Sequence, residues 1–327
     1  MRPSNVLDPR QASYEDLLSL WADLETALSR VLVTPLHVKS FESKVRQLQL
    51  WMEDLLSQDM DTGLYLLFQL AATSSTGYSA AHALVCTVLC QVAAMELGLP
   101  EEERNALVPA AMTMNIAMTE LQNELAEQET RPTQAQMEAV RAHSARGCML
   151  LAKLGVSNER WLDVVSGHHD DSGPAAPLTS LDTTLRLSNM LKTIDRYAAM
   201  ISPRRSRQGR SVAESLREVV QGPGGRQDET GLALVRAVGL CPPGTFVRLE
   251  SRETAVVLRR GSDGKNPIVA ILQDARGQAY SQPRLHRTEF AAPRVQSALS
   301  HAAAGIVLNH YVMVQLGLYA AQQSRTI

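Results

Sequence analysis

The sequence predicts a mainly α protein with a small antiparallel β unit near its C-terminus. Apolar residues recur every three to four positions through most of the chain, which is the period of a helix buried on one face. After Cys241 the pattern changes to short runs rich in valine and isoleucine, separated by turn signals, which is typical of hairpin strands. With 327 residues, 45% of them hydrophobic, the chain is long enough to bury a sizeable core.

The N-terminal region, residues 1–76, is predicted to form three helices. Leu17, Trp21, Leu24 and Leu28 have helical spacing, and Pro35 ends the helix that carries them. Two further segments with the same period follow. No residue in this region suggests chemistry, so we interpret it as a helical bundle that serves packing or dimer formation.

Residues 77–240 form a second helical region, in which polar residues interrupt apolar helices. The segment PAAMTMNIAMT, residues 109–119, is expected to be part of one continuous helix with a single polar residue at its centre. The residues that stand out against apolar surroundings in this region are His82, Asn115, His143, His168, His169 and Asp195. A basic loop containing Arg204 and Arg205 follows the helix that carries Asp195.

The C-terminal part is predicted to contain a β unit over residues 241–290 and a return to helix over 291–327. The strands are predicted from four short runs that are separated by turn residues. Some of these runs are rich in valine and isoleucine. The runs are GTFVRLE, ETAVVLRR, NPIVAILQD and GQAYS. The last segment is apolar, with helical spacing between residues 302 and 320.

Composition excludes several classes of partner. The 32 basic and 34 acidic residues balance, so nothing predicts binding to nucleic acid or to a membrane surface. The two most apolar stretches, 79–97 and 302–320, contain histidine and amide side chains and are predicted to be buried helices. No secretory signal is recognisable, and the four cysteines form no CxxC pair. These features predict a cytoplasmic protein with reduced thiols.

Each polar residue in the helices has a plain structural interpretation. A lone histidine in an apolar helix is more often a core residue than a metal ligand, and the arginines after residue 203 are more often a solvated loop than a phosphate site. Four histidines and an aspartate within half of the chain nevertheless supply the imidazole and carboxylate ligands that zinc, iron and manganese use. Cys86 and Cys90, one and two turns after His82, make a poor zinc site on one helix unless another element contributes.

The order of these motifs resembles an HD-GYP domain, a branch of the HD phosphohydrolase superfamily. The resemblance covers about residues 78–240, and CPPGTFVRLESRETAVVL resembles the β extension that follows many such domains. The motifs that carry the resemblance are His82, AAMTMNIAM, HSARG, GHHDDSG and IDRYAAMISPR. The resemblance implies an HD-type helical core and the hydrolysis of cyclic di-GMP, a bacterial second messenger, at a centre of two or three metal ions.

The resemblance also implies a set of ligands. One ion would use His82, a His–Asp pair and Asp195, and a second ion would use the shared aspartate with His143, His168 and His169. At the His–Asp pair this chain has Met114 and Asn115. Three further departures are Met118 in place of a lysine that contacts phosphate, Tyr78 in place of a glutamate, and SGPAAP in place of the GYP segment.

These departures change the metal chemistry that we expect. Methionine is a poor ligand for hard or borderline ions, and two protein ligands rarely hold an ion. Three histidines are enough for one ion, with Asn115 as a weak fourth ligand. Uncharged Asn115 cannot offset the repulsion between two neighbouring ions. We therefore expect one divalent ion, Fe, Mn or Zn, or no ion at all, and not a two-metal centre.

The favoured hypothesis is a degenerate HD-GYP-like signalling protein, a pseudoenzyme that binds cyclic di-GMP, another nucleotide or a protein partner. Arg204, Arg205 and Lys192 are the candidate phosphate contacts. One alternative is an active metal-dependent cyclic di-GMP phosphodiesterase with a reduced, histidine-based metal site. A second alternative is a homodimeric scaffold that binds no ligand.

Overall fold

A computed structural model describes residues 9–73, 77–170, 176–221, 227–261 and 264–324, and it confirms a mainly α fold with a small antiparallel sheet. The first helices are α1 (Pro9–Val33), α2 (Phe41–Gln58), α3 (Met60–Thr73), α4 (Tyr78–Glu96), α5 (Glu101–Thr113) and α6 (Thr119–Glu127). They are followed by α7 (Gln134–Lys153), α8 (Glu159–Gly167), α9 (Thr183–Ile201), α10 (Val212–Gln221) and α11 (Glu229–Val238). The C-terminal part adds α12 (His301–Ala304) and α13 (His310–Ser324).

Helix α4 is the centre of the helical region. It packs against α1, α3, α5, α6, α9 and α11, and its residues are apolar on all sides, as a helix surrounded by others requires. By length and composition α4 could cross a membrane, but 94% of its most apolar window is buried inside the fold. One continuous apolar core runs from Leu17 to Val238, so the N-terminal helices and the histidine-bearing helices share it.

The prediction of one continuous helix through residues 109–119 is wrong. Helix α5 ends at Thr113, a 3-10 turn covers Ile116–Met118, and α6 begins at Thr119. Asn115 has φ −101° and ψ 10°, in the bridge region between helix and strand. Asparagine weakens a helix interior because its side chain competes for local hydrogen bonds, and here the chain changes direction at this residue. The 3-10 turn packs against α7, the helix that carries His143.

The sheet is antiparallel throughout and has the order β4-β3-β2-β1-β5. Its strands are β1 (Phe246–Leu249), β2 (Thr254–Arg259), β3 (Ile268–Gln273), β4 (Ala279–Arg287) and β5 (Val295–Leu299). The expected helix over residues 291–327 is therefore correct only for α12 and α13. Strand β5 pairs with the open edge of β1, and this pairing with a distant segment overrides the local pattern from which a helix was predicted.

The sheet is attached to the helices through apolar contacts and ion pairs. Phe246, Val256 and Met313 belong to one apolar cluster with Tyr65 of α3. Arg259 pairs with Asp59 at 2.8 Å, at the start of α3. These contacts place the sheet at α3, whereas the histidines that could bind metal lie on α4, on α7 and at the end of α8.

Candidate metal centre

Three histidines converge where α7 meets the end of α8. His143 and His168 are buried, whereas His169, the next residue, is exposed. One ring nitrogen from each lies within 4.8 Å of the others. His143 Nε2 is 3.3 Å from His168 Nε2. The structure thus brings together the three imidazoles that the sequence proposed as a ligand set.

Two of these rings are held with a nitrogen lone pair facing the shared space. His143 Nδ1 donates to the Val140 carbonyl oxygen, and His168 Nδ1 donates to the Val165 carbonyl oxygen at 2.7 Å. A carbonyl only accepts, so the proton of each neutral ring is on Nδ1 and Nε2 is free to bind metal. A backbone carbonyl that fixes the tautomer in this way is a common support for metal-binding histidine.

The geometry and protonation of this cluster fit a divalent ion. Two nitrogens bound at 2.0–2.1 Å to a tetrahedral ion lie about 3.3 Å apart, which is the separation of His143 and His168 Nε2. Burial lowers the pKa of His143, and burial together with the neighbouring His169 lowers the pKa of His168 to about 4. Both rings are therefore neutral near pH 7, and neutral imidazole is the form that binds metal.

A second cluster joins α4 to α9. His82 Nε2 is 2.7 Å from Asp195 Oδ1 and 3.6 Å from Cys86 Sγ, and one ligand atom of each residue lies within 4.8 Å of the others. Burial raises the pKa of Asp195, but the hydrogen bond to His82 and the charges of the nearby histidines outweigh burial and lower this pKa to about 2. His168 and His169 are among those histidines, so Asp195 interacts electrostatically with both clusters.

Cys86 belongs to this candidate ligand group, although the sequence interpretation set it aside. The signal was its position one turn after His82, and the objection was that one helix cannot surround an ion. The structure supplies the missing element, because α9 brings Asp195 against the same face of α4. Cys90, one turn further on, is equally buried but does not belong to the group.

Met114 and Asn115 lie in the helix break and are both buried. Among the described residues, no hydrogen bond joins the Asn115 side chain to either histidine cluster. Tyr78 stacks on His82, with ring centroids 5.7 Å apart and planes 10° apart. The segment that the resemblance assigns to a His–Asp pair therefore contributes a thioether and an amide, and an aromatic ring covers His82.

Of the three candidate phosphate contacts, two lie near the clusters. The Arg204 guanidinium is 5.3 Å from the ring centroid of Tyr78, which stacks on His82. Lys192 Nζ donates to the carbonyl oxygen of Asp170, the residue after His169. The Arg205 side chain is 65% exposed and lies 4.0 Å from Glu129 on the surface. Of the SGPAAP segment, residues 172–175 lie outside the described residues.

Comparisons with known proteins agree with the predicted resemblance. The chain is 27% identical over 217 residues to the cyclic di-GMP phosphodiesterase PA4108 of Pseudomonas aeruginosa. The match covers 65% of this chain and 52% of the relative, so the chain spans about half the length of that relative. No family model matches the chain.

The fold is also similar to a solved structure, that of Bd1817, an HDG"Y"P protein from Bdellovibrio bacteriovorus. The TM-score is 0.51, the alignment covers 71% of this chain and 73% of that chain, and 12% of the aligned residues are identical. At this identity the match shows the fold alone. Together the two comparisons confirm the resemblance to the HD-GYP family that the order of motifs predicted.

Proposed function

On the premise of this HD-GYP likeness, we propose that the chain is a signalling protein that binds cyclic di-GMP and hydrolyses it poorly or not at all. In this proposal His143, His168 and His169 hold one divalent ion, Fe, Mn or Zn. The observation that carries it is the convergence of these three imidazoles beside a segment that offers Met114 and Asn115 instead of a His–Asp pair.

The ligand is inferred from the relative and from the charges around the cluster. PA4108 is named for its action on cyclic di-GMP, and a bound divalent ion would supply a Lewis acid for a phosphate oxygen. Arg204 offers a guanidinium that can bind phosphate through two parallel hydrogen bonds. Lys192, held beside the histidines through Asp170, offers a second positive charge. The exposed side of His169 leaves the cluster accessible to a nucleotide.

The expected loss of hydrolysis follows from the charges that this chain lacks. Two divalent ions about 4 Å apart repel strongly unless a carboxylate lies between them. The Asn115 amide carries no charge, and it cannot accept a proton as a general base. Met118 supplies no ammonium group at the position that the resemblance assigns to a phosphate contact. Binding by the remaining cations is retained, whereas the stabilisation of developing charge is reduced.

One observation favours the alternative of a working phosphodiesterase. Asp195 carries an ionised carboxylate that is 2.7 Å from His82 and interacts electrostatically with His168 and His169. If this carboxylate substituted for the missing one, a reduced centre would retain activity. The two functions differ in one result, since only the working enzyme would consume cyclic di-GMP in a reaction that requires His143 and His168.

Metal content and nucleotide binding, measured on one sample, test the proposed function. The full chain is loaded with manganese or iron, desalted, and analysed for metal and for cyclic di-GMP binding by calorimetry. We expect one ion per chain and saturable binding in the wild type, and loss of the ion with weaker nucleotide binding in His168→Ala. His37→Ala, at an exposed histidine outside both clusters, is the matched control and should behave as the wild type.

The proposal fails if the loaded wild type holds no stoichiometric ion. It also fails if His168→Ala and the wild type bind cyclic di-GMP with equal affinity while only the wild type contains metal. In that case the ion and the nucleotide would have no functional connection.

A further inference from the structure

The cluster of His82, Cys86 and Asp195 offers a set of ligands that the HD-GYP resemblance does not include. The resemblance assigns His82 and Asp195 to an ion whose other ligands would come from the segment that here contains Met114 and Asn115. In this chain a cysteine on α4 reaches the same pair, with Cys86 Sγ 3.6 Å from His82 Nε2. We infer that His82, Cys86 and Asp195 form a separate thiolate site for a zinc-like ion.

The chemistry of this ligand set differs from that of the three histidines. A cysteine thiolate is a soft ligand, and together with imidazole and carboxylate it suits zinc or cobalt better than manganese. The thiolate and the carboxylate carry two negative charges, which neutralise a divalent ion without help from another side chain. An ion here therefore needs neither the His–Asp pair nor a carboxylate shared with a second ion.

The distances between the ligand atoms suit a zinc ion after a small movement of the Asp195 carboxylate. With a zinc–sulfur distance near 2.3 Å and a zinc–nitrogen distance near 2.0 Å, the two ligand atoms would lie about 3.5 Å apart. The observed separation of Cys86 Sγ and His82 Nε2 is 3.6 Å. Asp195 Oδ1, now at hydrogen-bonding distance of 2.7 Å from His82 Nε2, would withdraw by about 0.6 Å to admit the ion. Its side chain is 17% exposed, which makes Asp195 the most accessible of the three ligands.

Helix α4 also contains a second cysteine, Cys90, which serves as a control for the explanation that Cys86 only fills space in the core. Cys86 and Cys90 are both completely buried and lie one turn apart. If the thiol of Cys86 only filled space in the core, the two cysteines would respond alike to replacement by serine. Only Cys86 belongs to the group whose ligand atoms converge, so the site predicts different behaviour.

Cobalt titration of the full chain tests the site by a signal that only a thiolate ligand produces. Co²⁺ bound to thiolate gives a charge-transfer absorption band in the near ultraviolet, which the three-histidine cluster cannot give. We expect the band in the wild type, in Cys90→Ser and in His168→Ala, and its loss in Cys86→Ser. Because His168→Ala removes the other cluster, failure of the proposed function would leave this result unchanged.

Two results would overturn the inference. One is a wild-type chain that takes up cobalt without the band. The other is a band of equal strength in Cys86→Ser, which would assign it to the less buried Cys148 or Cys241. If Cys86→Ser does not fold, as judged by circular dichroism, the same cobalt titration is carried out on Asp195→Asn. That variant keeps the thiol, and its affinity for the ion that gives the band should fall at least about tenfold. An unchanged affinity would contradict the site.

Discussion

The three-histidine cluster and the His82 cluster both interact electrostatically with Asp195, yet their ligands come from different parts of the chain. The ligands of the first come from α7 and the end of α8, and two of the rings are oriented by carbonyls of their own helices. By resemblance, the second would draw half of its ligands from the segment around Met114. With Met114 and Asn115 in that segment, the first set keeps its three histidines but lacks the shared aspartate, whereas the second keeps only His82 and Asp195. The comparison predicts that the two ligand sets differ in metal binding, because three histidines are enough to hold one ion and two protein ligands rarely are.

The largest expected effect is the loss of metal from the three-histidine cluster in His168→Ala. Removal of a direct ligand should weaken the binding of manganese or iron by more than the roughly 100-fold that a change in supporting residues costs. Metal analysis after desalting measures it. His143→Ala should give the same result, and retention of the ion in both variants would show that the imidazoles converge without binding metal.

The next effect comes from restoring the altered segment. Met114→His combined with Asn115→Asp should raise manganese content from one ion to two per chain, because a carboxylate between the ions offsets their repulsion. Asn115→Asp alone is the control, since it adds the charge without the imidazole. A double variant that folds and still holds one ion would count against the alignment of this segment with a His–Asp pair.

A smaller effect is expected at the phosphate contacts. Arg204→Ala should weaken cyclic di-GMP binding about tenfold, since a hydrogen bond to a charged group contributes about 1.5 kcal/mol or more. Arg205→Ala is the matched control, because among the described residues its side chain forms a single long, exposed ion pair, with Glu129. Calorimetry on both variants measures the difference, and equal losses would mean that the loop acts only through its overall charge.

The smallest effect concerns the aromatic ring over His82. The Tyr78 hydroxyl is buried and has no hydrogen-bond partner among the described residues, while the ring stacks on His82. Tyr78→Phe keeps the ring and removes the unpaired hydroxyl, so the free energy of unfolding of the metal-free chain should rise by about 1 kcal/mol. Urea denaturation measures it. A decrease of that size would show that the hydroxyl has a partner in solution.

The sequence was enough to predict the parts of the site that depend on order along the chain. The order of His82, His143, His168 and Asp195 along the chain resembles the HD-GYP motifs, and the resemblance implied which of these side chains would share an ion. The same reasoning set Cys86 aside, since its place in a candidate ligand group depends on α9 bringing Asp195 against α4. That contact joins residues 113 positions apart and leaves no local pattern.

Local sequence patterns also gave wrong secondary-structure predictions where contacts between distant residues determine the backbone conformation. Residues 295–299 have apolar spacing that suits a helix, but pairing with β1 makes them a strand. The segment 109–119 is mostly apolar, and its helix is broken at Asn115, just before the 3-10 turn that packs against α7. In both segments the apolar residues have helical spacing, but tertiary contacts determined the backbone conformation.

The most direct test of the account is turnover of cyclic di-GMP by the manganese- or iron-loaded wild-type chain. His168→Ala provides the background, and Met114→His with Asn115→Asp provides the restored centre. We expect the wild type to bind the nucleotide but to consume it no faster than His168→Ala does. Robust turnover by the wild type that disappears in both His143→Ala and His168→Ala would contradict it, and would identify the chain as a working phosphodiesterase.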